Sequence, residues 1–310
     1  IRTEVIMRKK QRGVAIVLAM GVVALAAMTA TAIMVSQVTW ARQSELTADH
    51  AQAHSLVRVG VDWARAVLAQ DRAMSNVDHL GEPWALKIPP IAVENGEITG
   101  YVEDQQGAFN LNNVVTGGKI NLAELARLRR LLSILGLPVS LAEALADWID
   151  ADSEPQLAGG AEDDYYLALE PPYLAANQPL TDVSELALIR GFDDAVRARL
   201  KPFVTALPRS TPINVNTASA EVLAATIDGM DLDAARALVA ERDRAFFTTV
   251  ADFSSRLPGR YTASASNVTV ASAYFAVTLR VTFGQTQARG AALLTREGAG
   301  WPAVVWQKFL

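Results

Sequence analysis

Residues 143–194 carry 13 carboxylates and one base, Arg190. Six of the acids fall between 150 and 164: Asp150, Asp152, Glu154, Glu162, Asp163 and Asp164. The segment is therefore −12 in a chain of net charge −5, which leaves +7 for the remainder. Acids crowded into one loop repel one another. Either the loop stays extended and hydrated, or a hard cation gathers it. Ca²⁺ takes about 6–8 oxygen ligands from carboxylates, amides and carbonyls, whereas Mg²⁺ demands strict octahedral geometry and keeps several waters. Asp150-x-Asp152-x-Glu154 opens like an EF-hand loop. The match then fails, because the sixth position is Pro155 and the twelfth is Ala161. On the residues alone, a solvated acidic loop and a metal site both remain open.

Other constellations carry less. His50 and His54 are four apart, a chelating spacing on a helix, but no third ligand accompanies them. Gly117-Gly118-Lys119-Ile120 lacks the earlier Gly and the following Ser or Thr of a phosphate-binding loop. There is no Gly-x-Ser-x-Gly, no cysteine and no zinc-protease motif, so no enzymatic activity is expected. Residues 213–253 resemble helix-hairpin-helix modules that bind DNA backbone. A membrane-anchored DNA-binding receptor is the alternative reading they raise. Its turn, Asp228-Gly229-Met230-Asp231-Leu232-Asp233, holds three acids, and residues 214–257 hold seven acids against four arginines. Phosphate would be repelled where it should bind, so no nucleic acid is expected as a partner.

These residues need positioning, and the chain begins with an element made for it. Arg8, Lys9, Lys10 and Arg12 precede residues 14–35, which carry no charge, and the next charged residue is Arg42. A helix of that length crosses a hydrocarbon core of ~30 Å. The four bases predict a cytoplasmic N-terminus, with the bulk of the chain across the membrane. Met7 is the expected natural start. Ala30-Thr31-Ala32 looks like a signal-cleavage site, but the apolar run is too long and the helical pattern continues to about residue 69. Apolar positions 56, 60, 63, 64, 67 and 68 give that second half an amphipathic face.

Beyond the helix, residues 98–104 read as a strand. Residues 121–203 read as helices, with Ser140 capping one and Thr181 another. Residues 213–253 form a second helical unit. From 275 to 283 the period changes to two, with Phe275, Val277, Leu279, Val281 and Phe283 on one face. Residues 288–296 and 303–309 are two more strands. The expected fold class is α+β: a long N-terminal helix packed on an antiparallel sheet, with a large all-α domain inserted into that sheet. The expected division is a leader at 1–13, a transmembrane and assembly helix at 14–70, sheet at 71–115 and 268–310, and the α-domain at 116–267. That domain would have subunits at about 116–208 and 209–267.

A basic leader ending in Gly13 before an apolar helix resembles the type IV pilins and pseudopilins. The resemblance implies that a prepilin peptidase cuts between Gly13 and Val14 and methylates the new amine. Most such proteins have Glu at the fifth mature position, where this chain has Leu18. A buried carboxylate there would pair with a neighbour's N-terminal amine, so its absence suits the end of a filament. The resemblance narrows with Asn110-Leu111-Asn112, the run from Leu141 to Asp152, Gly160 to Tyr166, Ile213 to Ala218, and Ser272-Ala273-Tyr274-Phe275. Together these are similar to the GspK family of minor pseudopilins of type II secretion systems. That family implies a pilin-like fold carrying the inserted α-domain, in an inner-membrane, single-pass protein with a periplasmic body at the pseudopilus tip. It implies partnership with GspI-like, GspJ-like and GspH-like minor pseudopilins and with the major pseudopilin. It also implies structural Ca²⁺ in the α-domain, with Asp150, Asp152, Glu162, Asp163 and Asp164 as the favoured ligands.

Overall fold

The computed structural model describes residues 2–298 and 300–310. Ile1, at the head of the expected leader, lies outside the described residues, as do the side chains of residues 2–12. One helix, α1 (Arg2–Met74), runs further at both ends than its predicted 14–69. Residues 14–45 are exposed all round. Further on, Ala53, Val57, Val61, Ala64 and Leu68 are buried at spacings of three and four. Trp63, expected in that face, is 44% exposed, because it stands two positions past Val61 and so points away.

After α1 come β1 (Ile88–Val93) and β2 (Gly96–Asp104), and then the chain leaves the sheet. The excursion holds β3 (Phe109–Asn110), β4 (Val115–Thr116), β5 (Lys119–Ile120), α2 (Leu122–Ile134), α3 (Leu141–Ile149), α4 (Asp163–Tyr166) and α5 (Asp194–Leu200). It continues through β6 (Val204–Thr205), β7 (Ile213–Asn214), α6 (Ala220–Thr226), α7 (Leu232–Arg242), α8 (Val250–Arg256) and β8 (Val268–Thr269). The chain then re-enters the sheet as β9 (Tyr274–Phe283), β10 (Thr286–Thr295) and β11 (Ala303–Phe309). The sheet order is β1-β2-β9-β10-β11, antiparallel throughout.

α1 lies on this sheet through the alternating residues Phe275, Val277, Leu279 and Val281. The approach is close because two glycines permit it. A Cβ on Gly60 would meet Leu279 Cδ1 at 2.7 Å, and one on Gly290 would meet Val57 Cγ1 at 2.3 Å. Gly284, at the β9–β10 turn, lies beside Asp49, while β2 ends near the last turn of α1. The excursion therefore springs from the end of the sheet farthest from the bare half of α1.

Residues 105–115, expected with the sheet, instead belong to the excursion, where β3 pairs in parallel with β6. Asparagines make that join. Asn110 Oδ1 accepts from Leu207 N (3.1 Å). Asn112 exchanges bonds with Leu180 N (2.8 Å) and O (2.9 Å), and Asn113 with Thr211 N (3.1 Å) and O (2.8 Å). Side-chain amides imitate peptide groups and so satisfy irregular backbone in a dry core. The second helical unit is tied in the same way. Asn216 bonds both N (2.8 Å) and O (2.9 Å) of Phe247. Asn214 Nδ2 donates to Asp104 Oδ2 (3.0 Å), which also accepts from Thr217 Oγ1 (2.5 Å) and Ser272 Oγ (2.7 Å). Burial pushes the Asp104 carboxyl up to about 6.

Two predicted caps move. Ser140 makes no capping bond, because its backbone is already helical and Glu143 pairs with Arg129 at 2.7 Å instead. Asp182 rather than Thr181 caps the turn of residues 183–188, in a capping box with Glu185.

Candidate metal centre

Helix α3 is buried on every side, and its last turn aims Asp147 and Asp150 at the loop that follows. That loop folds back through Asp152 to Glu162, the residue before α4. Carboxylate oxygens of Asp150, Asp152 and Glu162 converge to within 4.8 Å of one another. Asp150 is 1% exposed and Glu162 5%, while Asp152 faces solvent.

The loop is closed by few contacts. Asp147 Oδ2 accepts from Gln156 N (3.0 Å), and Arg190 Nη1 donates to Gly160 O (3.0 Å). The lone base of the acidic segment thus grips backbone rather than carboxylate, with its guanidinium 4.8 Å from the Tyr165 ring centroid. Behind the loop, Trp148, Tyr166 and Tyr173 pack ring to ring at 5.0–6.2 Å and form an apolar floor. Gly160 passes so near that a Cβ would stand 2.1 Å from Asp147 Oδ2 and 2.5 Å from Gln156 N. Gly160→Ala is therefore expected to open the loop, costing about 1–3 kcal/mol in denaturant unfolding. A neutral result would contradict this geometry.

Asp150 Oδ1, both oxygens of Glu162 and Asp147 Oδ1 are buried without a hydrogen-bond partner. Burial, compounded by the neighbouring acids, pushes Asp150 and Glu162 up to about 7 and Asp147 to about 6. An uncompensated buried carboxylate is costly, so this pocket must hold protons or a cation. The all-oxygen donor set fits a hard cation.

Of the five favoured ligands, the structure brings together Asp150, Asp152 and Glu162. Asp163 and Asp164 stand apart from them: Asp163 Oδ1 accepts from Ala175 N (2.9 Å), and Asp164 is exposed. Neither belongs to the converging group, although both line the cavity beside the loop with Ser153 and Gly160. Asp147 is the member that the sequence reading passed over. Its signal was the i, i+3 spacing from Asp150, which puts both on one face of α3.

A second acidic group, Asp71, Asp78 and Glu82, also converges. Here the chain supplies its own cation. Arg296 Nη1 reaches Asp71 Oδ2 (2.8 Å), and Nη2 bonds Asp78 Oδ1. Glu82 Oε2 accepts from Trp84 Nε1 (2.7 Å) and His79 N (3.0 Å). His54 stacks on Phe309 with ring centroids 4.2 Å apart, and neither His50 nor His54 joins an acidic or histidine cluster among the described residues. In the helix-hairpin-helix-like unit, Arg242 is buried and donates to Val215 O and Ala218 O, and Arg256 is paired with Asp252. These arginines hold the unit together and are not presented to phosphate.

A helix half bare and half packed on an antiparallel sheet, with an α-domain set into that sheet, defines a pilin-like membrane-anchored subunit. The family described as "Type II secretion system (T2SS), protein K" matches at residues 107–209 and 213–277. Type II secretion system protein K of Pseudomonas aeruginosa is 38% identical over 291 residues, covering 90% of this chain and 86% of that one. Its counterpart in Klebsiella pneumoniae is 35% identical over 309 residues, covering 94% of each. The structure of the GspK-GspI-GspJ complex from enterotoxigenic Escherichia coli superposes with a TM-score of 0.75 at 27% identity, covering 86% of this chain and 99% of that chain. The chain belongs to the type II secretion system protein K family, and it is a minor pseudopilin.

Proposed function

We propose that this chain forms the tip of the pseudopilus, where it initiates and caps assembly with GspI-like, GspJ-like and GspH-like minor pseudopilins above the major pseudopilin. The observation that carries this reading is where the inserted domain sits. It leaves the sheet at Asp104 and returns at Tyr274, both at the end remote from the bare helix. A subunit whose helix packs in a bundle with its neighbours would then carry this bulk above itself, where the next subunit would otherwise add. Leu18, exposed at 65%, offers no carboxylate to a neighbour's amine.

In this reading the role is structural, with no catalysis. The helix crosses the inner membrane once, N-terminus cytoplasmic and body periplasmic, before entering the filament. Prepilin peptidase cleaves between Gly13 and Val14 and methylates the new amine. Asp150, Asp152 and Glu162, beside Asp147, hold Ca²⁺, which supplies the charge that lets the acidic loop pack. Processing is tested by mass spectrometry of chain produced with a prepilin peptidase. The expected mass begins at methylated Val14, and Gly13→Ile is expected to retain the leader. A mature N-terminus elsewhere would overturn the assignment. Assembly is tested by co-purification of the full chain with tagged GspI-like and GspJ-like partners. Absence of a complex would overturn the tip reading.

A further inference from the structure

The two edges of the five-stranded sheet are built differently. β1 carries Pro89 and Pro90 side by side, and its pairing with β2 shifts register between Ile88 and Ile91. Prolines on an edge strand block the addition of another strand. β11, at the opposite edge, also shifts register against β10, between Leu293 and Leu294, but it has neither proline nor acid across its seven residues, and its one charge, Lys308, is paired with Asp182 at 2.6 Å. Around it stand exposed apolar side chains: Trp301 at 56%, Val304, Val305 and Phe309 at 40% each, and Leu310 at 71%. An unprotected apolar edge of this length is an aggregation hazard unless something covers it.

The strand also lies along the assembly helix. Phe309 stacks on His54, and Pro302 O accepts from Arg65 Nε at 2.7 Å. The edge therefore follows α1 over residues 54–65, on the flank beside the α1–sheet seam. A pilin-like subunit whose own helix packs against α1 carries its own sheet alongside. Its edge strand is then delivered to β11.

We infer that β11 is the docking edge for a second pilin-like subunit, which adds a strand to it through main-chain hydrogen bonds, with its apolar side chains against Val304, Val305 and Phe309. This rests on the pseudopilin reading above. β1 takes no part, so lateral growth of the sheet is one-sided.

The test uses the full chain in detergent, co-expressed with GspI-like and GspJ-like partners. Val304→Lys/Val305→Lys places charge on two already exposed positions. It is expected to lower the recovered partner by about tenfold or more, with the unfolding midpoint of the chain unchanged. Independently, a photo-crosslinking residue in place of Gln307 is expected to form an adduct with a partner, and one in place of Ala92 on β1 is not. Full partner recovery by the lysine variant, or adducts from Ala92 and none from Gln307, would overturn the inference while leaving the tip reading intact. Failure of the parent chain to recover any partner would overturn both.

Discussion

Arg296→Met is expected to destabilise the chain by about 3–5 kcal/mol, the cost of leaving buried charges unpaired. Arg296 is 5% exposed and sits at the junction of three parts of the fold. Its guanidinium bonds Asp71 on the last turn of α1, Asp78 on the loop beyond, and Ser272 O (3.1 Å) just before β9, and it lies 4.6 Å from the Phe275 ring centroid. Asp78 in turn accepts from Ser272 N (2.7 Å) and connects to the Asp104–Thr217–Asn214 group. Removal of Arg296 leaves two buried carboxylates facing one another at the root of the α-domain. Burial already pushes the Asp78 carboxyl up, and Arg296 is the main force holding it down. Denaturant unfolding measures the loss. Adding Asp71→Asn and Asp78→Asn to Arg296→Met is expected to restore part of it, because the stranded charges are then gone. A loss below about 1 kcal/mol, the range of an exposed ion pair such as Arg65–Asp62, would contradict the account.

Ca²⁺ is expected to raise stability by about 2.7 kcal/mol at a hundredfold excess over its dissociation constant. The sign of the pH dependence distinguishes this from a general salt effect. Asp150 and Glu162 have ordinary values of 3.8 and 4.5 and are raised to about 7 in the folded chain. Between those limits the folded state holds protons that the unfolded state has lost. Without metal, stability is therefore highest at the acid end of that window and falls as pH rises toward about 7. With Ca²⁺ the fall flattens, since the cation displaces those protons and the folded and unfolded chains then hold equally few; the stabilisation gained from Ca²⁺ therefore grows as pH rises toward about 7. Thermal unfolding of chelator-washed chain between pH 5 and 8, with and without millimolar Ca²⁺, gives both slopes. Asp150→Asn/Glu162→Gln is expected to abolish the response, and Asp164→Asn to leave it intact. Equal stabilisation of all three chains by Ca²⁺ would contradict the site.

Much of this was legible in the sequence for physical reasons that can be named. The charge-free run after Arg12 and the period-two pattern of residues 275–283 fixed the helix and the sheet it lies on, because burial selects those periods directly. The acidic segment announced itself by charge alone. Which of its acids converge was not legible. Asp163 and Asp164 follow Glu162 directly in the chain, and only the folded loop shows that Glu162 alone of the three joins Asp150 and Asp152. Asp147 was hidden because it reads as one polar position of a helix whose every face turned out to be buried. The Arg296 cluster was invisible for a different reason. Its partners, Asp71 and Asp78, are more than 200 positions away in the chain, and no local spacing relates them. The asparagine-rich stretches showed that backbone had to be satisfied, but not that Asn110, Asn112 and Asn113 join segments within the α-domain or that Asn214 ties it to the end of β2.

The same geometry bears on the filament. Leu18 lies in the bare half of α1, and the inserted domain lies beyond the other end of the sheet. Neither feature suits a subunit with neighbours on both sides. Gold labelling of the chain in isolated pseudopili tests this most directly. The account predicts label at one end of each filament and none along the shaft. Label distributed along the length would contradict it.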